Sequence, residues 1–253
     1  MQPRYVVRPP SILTTPRALA NQFGCTTRNG RNQQTFSFTR DFFLYYPHPS
    51  KMVDINAEEY RELHTFTRAT KPAQRALLHN YRIPTPETYN SKSSGEVATV
   101  TSGRPGYIVR PLRHSGGVSY RITQDRNDFI EGQEYISRIF PKSFEYRIIT
   151  CFGEVICTLL KVPPADARPE DAWNHNNGSH FTTVNNPLNN RLRFTSVYED
   201  CLRVPIIKQA HLCGIDVLLA KDPWRYVICE LNFCPSLTIE TNLQKVISHV
   251  QNI

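Results

Sequence analysis

The sequence has no long hydrophobic run. No window approaches the ~18 uninterrupted apolar residues of a membrane helix, which excludes a helical span. Met1–Thr15 lacks the apolar core, about 7–15 residues long, of a secretory signal. Cysteine is sparse and odd in number: seven, scattered, with no C-x-x-C spacing. This argues against a disulfide framework and a cysteine-rich zinc site, and for a reducing cytoplasm. No internal repeat or low-complexity tract is present, which excludes a solenoid. No convincing Cys–His or Ser–His–Asp set offers a side-chain nucleophile. Acid is missing from one region: residues 1–40 hold Arg4, Arg8, Arg17, Arg28, Arg31 and Arg40 but no Asp or Glu.

The chain has 253 residues, 40% of them apolar, enough for one or two domains with a real core. Thirty Lys+Arg against 22 Asp+Glu give a net charge of +8. That excess points to a polyanionic partner such as nucleic acid, nucleotide or an acidic peptide, or else only to solubility. A second basic stretch, Arg104, Arg110, Arg113, Arg121 and Arg126, includes Asp125 as its only acid.

The first 50 residues carry six Pro and read as strands and turns around Tyr5–Val7 and Thr35–Thr39, then an aromatic run Phe42–Tyr46. Ala57–Phe66 and Ala73–Tyr81 read as helical, with Pro72 suited to a first turn. The Ile83-Pro84-Thr85-Pro86 run ends that segment. Tyr107–Val109, Ser119–Thr123, Glu134–Ile139, Tyr146–Cys151 and Val155–Val162 read as strands. Residues 163–196 read as a long Asn-rich loop, and such loops are usually functional or disordered. Val197–Leu212 reads as a helix kinked or started by Pro205. Gly214–Leu219 and Tyr226–Leu231 read as paired strands, and Thr241–Val250 as a closing helix. This order predicts an α+β fold.

Three constellations can carry chemistry. Asp216 and the Glu230-Leu231-Asn232 run supply hard oxygen donors on neighbouring strands, suited to Mg²⁺; the plain alternative is a polar hairpin face. Tyr107–Arg110 followed by Ser115-Gly116-Gly117 places a cationic strand end before a turn whose backbone N–H groups can cradle an anion; the alternative is an ordinary hairpin. Glu145 and Arg147 share a strand face by period two, as an ordinary ion pair also would.

Taken in order, Thr67-Arg68-Ala69-Thr70-Lys71, Leu77-Leu78, Ile83–Thr88, the 107–118 strand and loop, Glu134-Tyr135-Ile136, Glu145-x-Arg147, Asp216 and Glu230-x-Asn232-x-x-Pro235-Ser236-Leu237 resemble the ATP-grasp superfamily over residues 67–245. The resemblance is closest to the carboxylate–amine ligase branch that includes the ribosomal-protein glutamate ligases, and within it to short, phage-type members. It implies two α+β lobes clasping ATP, with a small lobe over 67–133 and a large lobe over 134–253. Before them, an abbreviated α/β segment at 1–66 stands where relatives carry a fuller domain.

The resemblance also implies roles. Lys71, Arg110 (where the family usually has Lys) and Arg113 would meet phosphates, under a lid of Ser115, Gly116 and Gly117. Glu134, Tyr135 and Ile136 would form the adenine hinge, with Glu134 and Ile136 bonding the base through their backbones, and Glu145 would hold the ribose. Arg147 and Lys161, with Arg110, would serve the transferring phosphoryl group, and Asp216, Glu230 and Asn232 would bind Mg²⁺. Asn174, His175, Asn176, Asn177 and His180 would approach the acceptor. The implied reaction is amide formation through an acyl-phosphate from a carboxylate and an amine (amino acid, peptide or protein tail), without a membrane partner. A kinase that stops at a phosphoester, or a nucleic-acid-binding protein with an Arg-rich arm, is the alternative. The latter predicts DNA or RNA binding that falls steeply with salt and is lost on deleting residues 1–40; no binding at low salt in a filter assay excludes it.

Overall fold

In a computed structural model, the described residues are 69–93, 106–113, 119–168, 171–173, 178–184, 194–209, 212–220, 225–232, Pro235 and Lys245, together with two short strands nearer the N-terminus. Those strands, β1 (Tyr5–Arg8) and β2 (Thr26–Asn29), pair in parallel, and β2 was not expected from the sequence. The elements expected at Thr35–Thr39, Phe42–Tyr46, Ala57–Phe66 and Thr241–Val250 lie outside the described residues. No described helix is long and apolar enough to cross a membrane.

Helix α1 (Lys71–Asn80) starts at extended Thr70, whose carbonyl accepts the Gln74 N–H at 2.9 Å, and carries Pro72 in its first turn. It stops in a two-bond left-handed cap. The Arg82 N–H donates to the His79 carbonyl (2.8 Å), and the Ile83 N–H donates to the Leu78 carbonyl (3.0 Å). The cap needs Arg82 at φ 57°, a conformation that usually selects glycine. Leu78 and Ile83, both fully buried, close the turn with an apolar contact.

Two antiparallel sheets follow. The smaller has the order β3-β6-β4-β5, with β3 Thr88–Tyr89, β4 Tyr107–Pro111, β5 Arg121–Thr123 and β6 Glu134–Arg138. The larger has the order β11-β10-β7-β8-β9, with β7 Phe144–Cys151, β8 Glu154–Val162, β9 His180–Thr183, β10 Cys213–Ala220 and β11 Arg225–Asn232. Alternation splits the larger sheet into two faces. Tyr146, Ile148, Ile215, Val217, Ile228 and Leu231 enter the main core. There they meet Val197 and Cys201 of α2 (Phe194–Leu202), Val204, and Ile207 of α3 (Pro205–Gln209). Each fully buried Ile or Leu of this set contributes about 1.5–3 kcal/mol. The opposite face carries Glu145, Arg147, Asp216 and Glu230.

Two expectations are corrected, and one pairing bears on the expected lobe boundary. The loop expected over 163–196 contains β9, whose His180-Phe181-Thr182-Thr183 alternates in exposure as an edge strand does. The helix expected over Val197–Leu212 is two helices, because Pro205 opens the second rather than bending one. Glu134–Arg138, expected at the start of the large lobe, is bonded into the smaller sheet between β3 and β4, so the chain changes sheets at 139–143.

Replacing Arg82 with Gly is expected to remove the left-handed strain and stabilise the protein by about 0.5–1 kcal/mol. Urea unfolding should show a higher midpoint at unchanged slope; a lower midpoint would contradict the cap.

Candidate functional site

The charged face is built by strand register. Glu230 on β11 stands opposite Asp216 on β10, and Asp216 stands opposite Arg147 on β7, so three charges form one row across three strands. One row along, Glu145 of β7 stands opposite Lys161 of β8, and Lys161 opposite Phe181 of β9. Asn232 lies two residues beyond Glu230 on β11, opposite Gly214. That glycine is required by close packing: a Cβ there would sit 2.9 Å from Pro235 Cβ and 3.3 Å from Arg147 Cδ.

Arg147 holds Asp216 with a two-pronged pair, Nε donating to Oδ1 at 2.6 Å and Nη2 to Oδ2 at 2.8 Å. Asp216 is only 6% exposed. Burial works to raise its pKa, but Arg147, with Lys161 and Lys71, outweighs it and holds the carboxyl below its ordinary range. Lys71, at the start of α1, bonds Glu230 Oε2 at 2.8 Å. Glu145 is shared by two lysines: Lys142 Nζ donates to Oε2 at 3.1 Å and Lys161 Nζ to Oε1. Burial pushes the Lys142 ammonium below its ordinary range despite Glu145. Phe181 lies beneath Arg147 and Lys161, 4.6 and 5.3 Å from ring centre to cation, and Trp173 beneath Lys142 at 4.3 Å.

The smaller sheet adds Arg110, which pairs with Tyr135 across β4 and β6. Burial disfavours its charge, and nearby Tyr135, Cys229 and Glu230 favour it. Its Nε is buried without a hydrogen-bond partner. Five cations, Lys71, Arg110, Lys142, Arg147 and Lys161, therefore converge on three carboxylates, leaving positive charge in excess.

Of the expected site residues, Lys71, Arg110, Glu145, Arg147, Lys161, Asp216 and Glu230 come together, with Asn232 on the same strand. Arg113 is exposed beyond the end of β4, and His180 is exposed on β9. Ser115, Gly116, Gly117, Asn174, His175, Asn176 and Asn177 lie outside the described residues. Glu134 and Ile136, expected as the hinge, lie in β6 of the smaller sheet. Fully buried Ile136 has Tyr89 of β3 on one side and Val109 of β4 on the other, so its backbone belongs to the sheet. The Glu134 N–H donates to the Ile130 carbonyl at 2.8 Å, and its carboxylate holds Arg121 at 2.6 Å. Tyr135 is fully buried behind Arg110. Glu145, expected at the ribose, has each of its two oxygens bonded to a lysine.

The sequence does not single out Lys142, Phe181 or Arg75, whereas Trp173 heads the Asn-rich run that ends at His180. Phe181 lies in a stretch whose asparagines signal a loop rather than β9, whereas Lys142 stands three residues before Glu145 and is legible as its neighbour. Burial pushes the thiols of Cys151, Cys201 and Cys213 far above the ordinary range, so none is a ready nucleophile. Among the described residues no group of three or more His, Cys, Asp or Glu side chains gathers to hold a metal. By donor type, two carboxylates in register and one amide suit Mg²⁺ completed by water and phosphate; Arg147 holds both Asp216 oxygens and Lys71 one oxygen of Glu230.

No family model matches the sequence, and no curated protein matches it significantly. Solved structures do. The ATP-grasp ligase PsnB complexed with precursor peptide PsnA2 and AMPPNP aligns at TM-score 0.53 and 15% identity over 98% of each chain. PsnB with minimal precursor, Mg and ADP aligns at TM-score 0.52 and 17% identity over 96% of each. D-alanine–D-alanine ligase from Bacillus anthracis complexed with ATP aligns at TM-score 0.48 and 16% identity, covering 74% of this chain and 62% of that one. In an alignment to PsnB with a phosphomimetic minimal precursor, at TM-score 0.48 and 17% identity, 74% of this chain covers 60% of that chain. In the last two alignments, then, the match spans about 60% of the neighbour's length.

Asp216→Asn should leave Arg147 buried without its carboxylate and cost about 3–5 kcal/mol. The wild-type contribution is present above the ordinary Asp value of about 3.9 and is lost as pH falls through the lower native value. Urea midpoints should therefore separate the two proteins at pH 7 and converge in acid. Equal midpoints at pH 7 would rule the pair out as a stabilising contact.

Proposed function

We propose that this chain, which has the ATP-grasp fold, is an Mg-ATP-dependent carboxylate–amine ligase. The observation that carries the reading is the cationic excess on the charged face beside two in-register carboxylates, in a fold shared with ligases. A triphosphate satisfies that excess, and Mg²⁺ suits Asp216, Glu230 and Asn232. When bound, the metal supplies charge neutralisation on the phosphoryl oxygens.

The chain's own residues do the rest. Lys71 and Arg110 bind phosphate, each beside Glu230. Arg147 and Lys161 stabilise charge on the transferring group from fixed positions over Phe181. A carboxylate activated as its acyl-phosphate is then open to an amine, and no side-chain nucleophile is needed. Holding acid, γ-phosphate and amine together lowers the barrier through proximity. The amine is read as an amino acid, peptide or protein tail; PsnB, bound to a precursor peptide, favours a peptide.

With Mg-ATP and an amino-acid and peptide pool, the protein should release ADP and phosphate and yield a product heavier by an amide condensation. Glu230→Gln should lower turnover about 100-fold while circular dichroism stays native. A stable phosphoester in the mass spectrum would replace the ligase by a kinase. Full turnover in the variant would overturn the metal assignment.

A further inference from the structure

The register between β10 and β11 slips once. Asp216 stands opposite Glu230, but its neighbour Val217 stands opposite Ile228, so Cys229 is an extra residue, a bulge. Without it Ile228 and Glu230, two apart, would share a face. With it, Ile228 enters the core and Glu230 turns to the charged face beside Asp216. The bulge thus decides whether two carboxylates meet.

A bulged residue lacks a regular ladder partner, and the Cys229 carbonyl finds one outside the sheet. Arg75 of α1 donates to it from Nε at 3.1 Å. The same guanidinium reaches Cys229 Sγ from Nη2 at 3.5 Å. From Nη1 it reaches Thr88 Oγ1 at 2.7 Å and Ser137 Oγ at 2.6 Å. Thr88 lies on β3 and Ser137 on β6, both in the smaller sheet. Next to it in the helix, Gln74 Oε1 accepts the Leu231 N–H at 3.3 Å, on the other side of Glu230. Arg75 is 2% exposed, and none of these hydrogen-bond partners is a carboxylate. A desolvated guanidinium bound only to neutral groups is costly, and what it joins is specific: the bulge beside Glu230 and two strands of the other sheet.

We propose that Arg75 is a positioning residue for the Mg-nucleotide site. It fixes the bulge that aims Glu230 at the metal and ties that bulge to the smaller sheet, which brings Arg110. The proposal rests on the Mg-ATP reading above. Arg75 acts through the Cys229 backbone and does not itself touch the metal. Lys lacks the fork that spans two sheets, so it replaces Arg only in part.

The test measures binding of a fluorescent ATP analogue with and without Mg²⁺, and amide hydrogen exchange without nucleotide. In Arg75→Met the half-saturating Mg²⁺ concentration should rise about tenfold while metal-free nucleotide affinity changes less than about threefold, with Arg75→Lys between. Exchange at 229–231 should quicken about tenfold or more, with β7 unchanged. Equal loss of affinity with and without Mg²⁺, or unchanged exchange at the bulge, overturns the proposal. If Arg75→Met does not fold, the Thr88→Val/Ser137→Ala pair, which frees the guanidinium from the smaller sheet but not from Cys229, is judged by the Mg²⁺ criterion: the half-saturating Mg²⁺ concentration should rise more than the metal-free nucleotide affinity falls, and equal loss overturns the proposal. A wild-type protein that binds no nucleotide overturns the ligase reading instead, and exchange at 229–231 still decides whether Arg75 holds the bulge.

Discussion

A buried carboxylate is tolerated only where something cancels its charge, and Asp216 is the buried carboxylate on which the charged face depends. The two-pronged contact from Arg147 keeps it ionised inside the larger sheet. Because the two stand opposite each other on adjacent strands, the contact also fixes the register of β7 against β10. Register in turn decides every other placement. It puts Glu230 beside Asp216, Lys161 beside Glu145, and the apolar residues of the same strands on the far side against α2 and α3. An isolated surface ion pair would carry little weight, but this one lies in the middle of a five-stranded sheet, where exchanging it for water is not an option.

The opposing charges are held in a chain rather than as separate couples. Glu230 is bound by Lys71, Asp216 by Arg147, Glu145 by Lys142 and Lys161, and the aromatic faces of Phe181 and Trp173 support the cations from below. Every carboxylate of the face is therefore already neutralised, and the surplus belongs to the cations. A ligand entering here need not bring order to loose side chains; it meets groups whose directions are set by strands, by ring contacts and by a glycine at 214 that lets the Arg147 stem lie close. Preorganisation of this kind is where electrostatic catalysis draws its advantage over water.

Much of this was legible in the sequence. Period two alone puts Glu145 with Arg147 and Glu230 with Asn232 on shared faces, and the order of short motifs pointed to the ATP-grasp fold that the structure has. What was not legible depends on long-range pairing. The Glu134–Ile136 run reads as a hinge by its order among the motifs, and only knowledge of its partners places Ile136 between Tyr89 and Val109 in an interior strand. Phe181 sits in a four-residue edge strand too short and polar to stand out among asparagines. The bulge at Cys229 leaves no local signature, since no glycine marks it. Nothing in the sequence around Arg75 marks it for burial, which follows from the strands it bonds.

The capture of β11 by the helix and its following turn has a consequence for solubility. An outermost strand offers unpaired N–H and C=O groups on which a second chain can nucleate a shared sheet. Here Pro84 takes the Ile228 N–H at 2.7 Å, Arg75 takes the Cys229 carbonyl and Gln74 takes the Leu231 N–H. Another strand arriving at β11 would have to break three bonds before making one. These bonds oppose growth of the larger sheet at that end.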